Sequence, residues 1–142
     1  MLKCDLLIDS KDIKTTISKL KNEKDYTILL DITIIDYLKF PDITPSRFAV
    51  VYILRDSSFK NQISVKSYIN DNTLEVDSVC DLYGAANWAE REAYDQYGIR
   101  FAGHPNLKRV LNHHQFVGHP LRKDYEITKG QICTYSEDLM DE

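Results

Sequence analysis

Apolar residues first recur at helical spacing. Ile13, Ile17 and Leu20 stand at i, i+4 and i+7 with Lys and Thr between them, which predicts a helix over 11–24 with Ser10 as its cap. The stretch from Tyr26 to Leu38, YTILLDITIIDYL, is rich in β-branched residues and apolar on both parities apart from Asp31 and Asp36. It predicts a strand with a bend or an exposed position at Asp31. Pro41 and Pro45 mark a loop over Lys39 to Ser46. Arg47 to Arg55 is apolar on both faces, as a central strand must be. After a turn over Asp56 to Asn61, Ile63, Val65 and Ile69 alternate with Ser64, Lys66 and Tyr68, the pattern of a half-exposed strand. Asn70-Asp71-Asn72 is another turn. A helical turn then opens at Asp77 or Ser78, passes Val79 and Leu82, and is interrupted by Gly84. A second helix runs from Ala85 or Ala86 to Tyr97 and stops at Gly98.

The order α-β-β-β-α with hairpin-length connections implies an α+β fold. The expected form is a two-layer sandwich: a mostly antiparallel sheet with helices on one face. From Ile99 onward the periodicity fades and turn residues multiply. The expected division is an α+β domain over 1–98 and an extended C-terminal arm over 99–142, with one short helix at 105–111.

Composition narrows the function classes. A chain of 142 residues makes one domain able to bury a core without disulfides. Its net charge of -4 argues against nucleic acid as a partner. Cys4, Cys80 and Cys133 are far apart and form no Cys-x-x-Cys, which disfavours a zinc ribbon, an iron–sulfur centre or a disulfide framework. Free thiols suit a reducing compartment. The apolar run from Ala49 to Leu54, even with Phe48 before it, is too short to span a bilayer. The first residues have neither the apolar centre of a secretory signal nor the Arg-rich character of a transit peptide.

Candidate chemistry concentrates between Ala85 and Asp124. On a helical wheel Ala86, Ala89, Ala93 and Tyr97 share a face suited to close approach to a sheet. Trp88, Arg91, Glu92 and Asp95 share the opposite one, where Arg91 and Asp95 can pair at i, i+4. A Trp there is either laid across a solvated, salt-bridged face or an interface anchor. Glu90, Glu92 and Asp95 could serve as an acid/base set. Ion pairing with Arg100, Lys108, Arg109, Arg122 and Lys123, folded back onto the helix, is the simpler use. All four histidines lie here, at His104, His113, His114 and His119, but without His-x-x-x-His or His-Glu-x-x-His spacing. Gly103-His104-Pro105 and Gly118-His119-Pro120 read as devices that set chain direction. There is no nucleophile elbow, Walker loop or dinucleotide glycine motif.

Trp88, Glu90-Arg91-Glu92, Asp95, Gly98-Ile99, Phe101, Gly103-His104-Pro105, Leu107, Arg109 and Leu111 stand in an order and spacing that can be recognised. So do Phe116 and Gly118-His119-Pro120-Leu121-Arg122-Lys123-Asp124. The sequence resembles the thirty-kilodalton subunit family (in bacteria, the C subunit) of respiratory complex I, the proton-pumping NADH:ubiquinone oxidoreductase. The match spans about Ser78 to Tyr125. Departures are Gly84 where Pro is common, Gln96 for an apolar residue, Lys108 for Arg, and a shorter C-terminal tail.

The resemblance implies a non-redox structural subunit of the hydrophilic arm, with no catalytic, cofactor or metal residues of its own. It implies packing against the forty-nine-kilodalton quinone-site subunit, near the iron–sulfur subunits. FMN, iron–sulfur clusters, NADH and quinone would belong to partner subunits. The implied location is the matrix side of the mitochondrial inner membrane, or the cytoplasmic side of a bacterial inner membrane, with peripheral attachment through the complex. The alternatives are an equivalent subunit of an energy-converting hydrogenase or photosynthetic NDH complex, an independent His/carboxylate metal enzyme, and a small adaptor outside any redox complex.

Overall fold

A computed structural model describes residues 4–128 and 130–132. Its elements in chain order are β1 (Leu6–Ile8), a 3-10 turn (Ser10–Asp12), α1 (Ile13–Lys24), β2 (Ile28–Asp36), β3 (Phe48–Arg55), β4 (Gln62–Ile69), β5 (Glu75–Asp77), α2 (Ala86–Tyr97) and β6 (Arg100–Ala102). The main sheet has the order β1-β4-β3-β2, so β3 is central, as its two apolar faces require. β2, β3 and β4 pair antiparallel, while β1 joins β4 in parallel. The α+β class holds, and the main sheet is mostly antiparallel as expected, with one parallel pair at the β1 edge.

Local chemistry explains where elements begin and bend. The first cap is Asp9 rather than Ser10: its side chain accepts from the Lys11 N–H at 3.1 Å, and a turn of 3-10 helix precedes α1. Ile13, Ile17 and Leu20 are the buried residues of α1. In β2 the register shifts between Leu29 and Asp31, leaving Leu30 as the extra residue of a bulge. That bulge explains why the strand is apolar on both parities. Leu29 faces the core before it, and Ile32 and Ile34 do so after it.

One core joins the two helices to the sheet. Ile13, Ile17, Ala86 and Ala93 pack with Ile32, Val50, Tyr52, Leu54, Val65 and Ile69. The pattern did not announce the three-residue strands β1, β5 and β6. β5 and β6 form a separate parallel pair that lays the chain leaving α2 against the chain approaching it. Ile99 and Phe101 are thereby buried in the common core, so the segment just after Gly98 is not free arm. The helix expected at 105–111 is absent, and turns take its place. Its backbone donors are used elsewhere: Asn106 N–H goes to His104 Nδ1, and Val110 and Leu111 N–H go to Asp95. Residues 133–142 of the expected arm lie outside the described residues. No described helix is long and apolar enough to cross a membrane.

Candidate functional site

α2 carries two fully buried carboxylates: Glu90, which falls beside Ala86 and Tyr97 on the sheet-facing side of the wheel, and Asp95, which falls on the opposite side with Glu92. Glu90 and Asp95 are each 0% exposed, whereas Glu92 is exposed. A buried carboxylate must be matched by donors or lose its charge. The two solve that problem differently, and they do not form an acid/base pair.

Asp95 is the latch of the arm. One oxygen accepts from Arg109 Nη1 at 2.6 Å and Asn112 Nδ2 at 3.0 Å. The other accepts the backbone N–H groups of Val110, Leu111 and Asn112 at 3.0, 2.8 and 2.8 Å. Burial pushes its carboxyl upward, but the Asn112 and Leu111 donors and Arg109 hold it well below the usual carboxylate range. Arg91 is not its partner, contrary to the i, i+4 expectation. Its guanidinium lies over the Trp88 ring at 4.9 Å and donates to the Lys108 and Arg109 carbonyls. The idea that basic residues fold back onto the helix is met most directly by Arg109, which also donates to the Gly118 carbonyl at 2.8 Å.

Glu90 faces the other way. Ser78 Oγ donates to it at 2.6 Å, Val79 N–H at 2.7 Å and Cys80 Sγ at 3.4 Å. Burial dominates here and raises its carboxyl. The same burial pushes the Cys80 thiol up to about 11. Ligand atoms of Cys80, Glu90 and His104 lie within 4.8 Å of one another, the spacing of a possible cation site. His104, however, has both ring nitrogens engaged. Nδ1 accepts from Asn106 N–H at 2.9 Å, so Nε2 carries the proton and donates to the Asn87 carbonyl at 3.1 Å. Ligating a metal through Nε2 would break that arrangement.

The arm then crosses the end of α2. Gly98 adopts φ +75°, and a Cβ there would stand 2.6 Å from both Arg122 Nη2 and His119 Nε2. It serves as helix stop and as the close crossing point. Arg122 donates to the Tyr97 carbonyl at 2.6 Å and stacks over Phe48. His119 Nδ1 bonds the Asp95 carbonyl at 3.0 Å, and burial with Arg122 nearby lowers its basicity. Gly103 and Gly118 have positive φ at the starts of the two Gly-His-Pro turns, which carry the chain past Pro105 and Pro120. Phe101 is buried in β6, and Phe116 stacks on Tyr125 with centroids 5.9 Å apart.

A second latch closes the far end. Arg47 pairs with Asp36 at 2.8 Å and Asp124 at 2.6 Å, and Lys123 N–H donates to Asp36 at 2.9 Å. Burial works against Asp36, but Arg47 and the Lys123 and Leu38 amides hold its carboxyl low. Sequence reasoning missed Asp36, Arg47, Ser78 and Asn112 as site residues. The available signal was a charge inside an apolar strand, at Asp36. Outward the arm shows Leu111, Val117, Leu121 and Ile127, interspersed with exposed polar residues such as Lys108, Gln115, Lys123 and Glu126, and Trp88 is 63% exposed.

Residues 6–131 match the family model described as "Respiratory-chain NADH dehydrogenase, 30 Kd subunit". The chain is 40% identical over 123 residues to the NADH-quinone oxidoreductase C subunit of Geotalea uraniireducens, covering 86% of this chain and 72% of that one. It is 39% identical over 129 residues to a Bdellovibrio bacteriovorus protein named as the C/D subunit of NADH-quinone oxidoreductase, covering 91% of this chain but only 22% of that longer protein. Among solved structures, a trypsin-resistant fragment (1-134) of Nqo5 superposes with a TM-score of 0.66 at 37% identity, covering 71% of this chain and 80% of the fragment.

Proposed function

The chain belongs to the family of the 30 kDa subunit of respiratory-chain NADH dehydrogenase, and we propose that it is a non-redox structural subunit in the hydrophilic arm of a proton-pumping NADH:quinone oxidoreductase. One observation carries this reading. The arm from Gly103 is tied down through Asp95 and Asp36, and it turns Leu111, Val117, Leu121 and Ile127 outward among exposed polar residues. A strap held this way presents preformed apolar contact points within a polar surround, and Trp88 is a residue type enriched at binding hot spots.

The partner proposed is the forty-nine-kilodalton quinone-site subunit, with the iron–sulfur subunits nearby. The Bdellovibrio relative, a longer chain named for both C and D, supports a close partner for a C subunit. FMN, iron–sulfur clusters, NADH and quinone are assigned to partner subunits. The chain's own contribution is assembly and positioning. It would attach peripherally, on the mitochondrial matrix side or the equivalent bacterial cytoplasmic side.

Affinity purification of the tagged full chain, with identification of its partners, tests the proposal. The expected result is a large membrane-associated assembly with NADH:quinone activity. The electron-input subunits recovered distinguish an NADH-driven complex from a related hydrogenase. A chain shortened before Gly103 should fail to assemble, and full assembly and activity without the arm would overturn the positioning role.

A further inference from the structure

We propose that the sheet face turned away from the helices carries a carboxylate-binding site, built by Lys66, Tyr37 and Tyr68, that docks an acidic side chain of a neighbouring subunit. This rests on the reading of the chain as one subunit of a larger complex.

Lys66 lies in β4 between Leu7 of β1 and Val51 of β3 in the register. Its neighbours in sequence, Val65 and Ser67, are both buried, and Val65 belongs to the helix-side core. Lys66 therefore points to the opposite face, yet it is only 6% exposed. Its Nζ donates to Tyr37 Oη at 2.6 Å and Tyr68 Oη at 3.2 Å. It also lies 4.8 and 4.5 Å from the centroids of the same two rings. Among the described residues no carboxylate reaches ion-pair distance of it.

The donor count is what points to a ligand. An ammonium has three N–H groups, and two are used on the tyrosines. Each tyrosine oxygen that accepts from Lys66 still has its own O–H to give. Neither hydroxyl finds an acceptor among the described residues. One N–H, two O–H groups and a buried positive charge thus converge with no anion between them. A carboxylate is acceptor-only and singly negative, and it would complete all of them. The hydroxyls already hold the ammonium protonated against the opposing effect of burial.

Access and surroundings favour a protein side chain. Tyr68, though neither Lys66 nor Tyr37, lines an open cavity of about 680 Å³, lined also by Leu7, Pro45 and polar residues that include Lys11, Ser46 and Asn70. The cavity's own acids are committed to the backbone. Asp9 accepts from Lys11 N–H, and Asp71 from Arg47 N–H at 3.0 and 3.1 Å. Beside this polar lining the site is flanked by exposed apolar side chains, with Leu7 65% exposed and Phe40, whose ring lies 5.2 Å from that of Tyr37, 49% exposed. A free anion has no use for such surroundings, whereas an acidic residue set among apolar neighbours does.

The experiment has two arms, each run on wild type, Lys66→Met and Tyr68→Phe. In the isolated full chain, acetate is titrated while the Lys66 ammonium and Tyr68 ring signals are followed by NMR. Saturable shifts are expected in wild type, weakened in Y68F, with no saturable response at Tyr68 in K66M. Absence of any wild-type shift would overturn the site. In the purified complex, retention of the subunit through a salt wash is measured. K66M should dissociate at least about tenfold faster, while the isolated variant melts no lower than wild type. A K66M chain that melts lower would mark Lys66 as merely structural. Acetate binding with unchanged retention would overturn the protein occupant in favour of a free small carboxylate. A wild-type chain that binds acetate but enters no complex would instead place the failure in the subunit reading, and the docking role would fall with it.

Discussion

Asp95→Asn is the sharpest perturbation of the latch. The substitution preserves size but replaces one acceptor oxygen with an NH2 group. That group would face Arg109 or the row of amides from Val110 to Asn112, all of which donate. Asp95 is 0% exposed and the Arg109 side chain 19% exposed, so the pair is effectively buried. Removing one partner of such a pair costs about 3–5 kcal/mol. The hydrogen bonds that break are those to residues 109–112, so the cost should appear as release of the arm rather than as melting of the sheet. At about 1.4 kcal/mol per tenfold, amide protection at Val110, Leu111 and Asn112 should fall by roughly two to three and a half orders of magnitude in native-state hydrogen exchange. Amides of β3, such as Val50 and Tyr52, should change far less. The sign of the pH effect follows from the depressed carboxyl. Above the unfolded carboxylate value, about 3.9, the latch contributes fully. As pH falls through and below that value the contribution is lost, because the unfolded chain takes up the proton first. The variant should lack this acid dependence. Unchanged protection at 110–112 in D95N would refute the latch.

Arg47→Met leaves Asp36 buried with only amide donors and should cost about 3–5 kcal/mol in urea denaturation. Asp124→Asn, on a carboxylate 52% exposed, should cost less than about 1 kcal/mol. Tyr52 is fully buried, and its hydroxyl has no hydrogen-bond partner among the described residues. Tyr52→Phe should therefore be neutral or stabilise by about 1 kcal/mol, read as an unchanged or raised melting temperature. Glu90 has a raised carboxyl, so its ionisation works against the fold. Stability from its protonated form is present below the unfolded glutamate value of about 4.3 and is lost as pH rises through the folded one. Relative to wild type, Glu90→Gln should gain stability between urea melts at pH 4 and pH 7, opposite in sign to the effect of Asp95.

Much of this protein was legible without coordinates, where the signal is local. α1, α2, β2, β3 and β4 follow from spacing and β-branching, and Gly98 marks a helix end because φ +75° favours glycine. The signature from Trp88 to Asp124 was enough to point to the family. The three-residue strands were not legible, because a segment that short has no period of its own and exists only through its partner. The two latches were hidden for a related reason. A wheel treats Asp95 as polar and therefore outward, since it knows one packing surface only. Tertiary structure adds a second, in which the amides of 110–112 and the Arg109 guanidinium arrive from across the chain. Their donors make burial of the charge cheaper than its exposure, and so decide that this acid turns inward while Glu92, one turn away, stays in water.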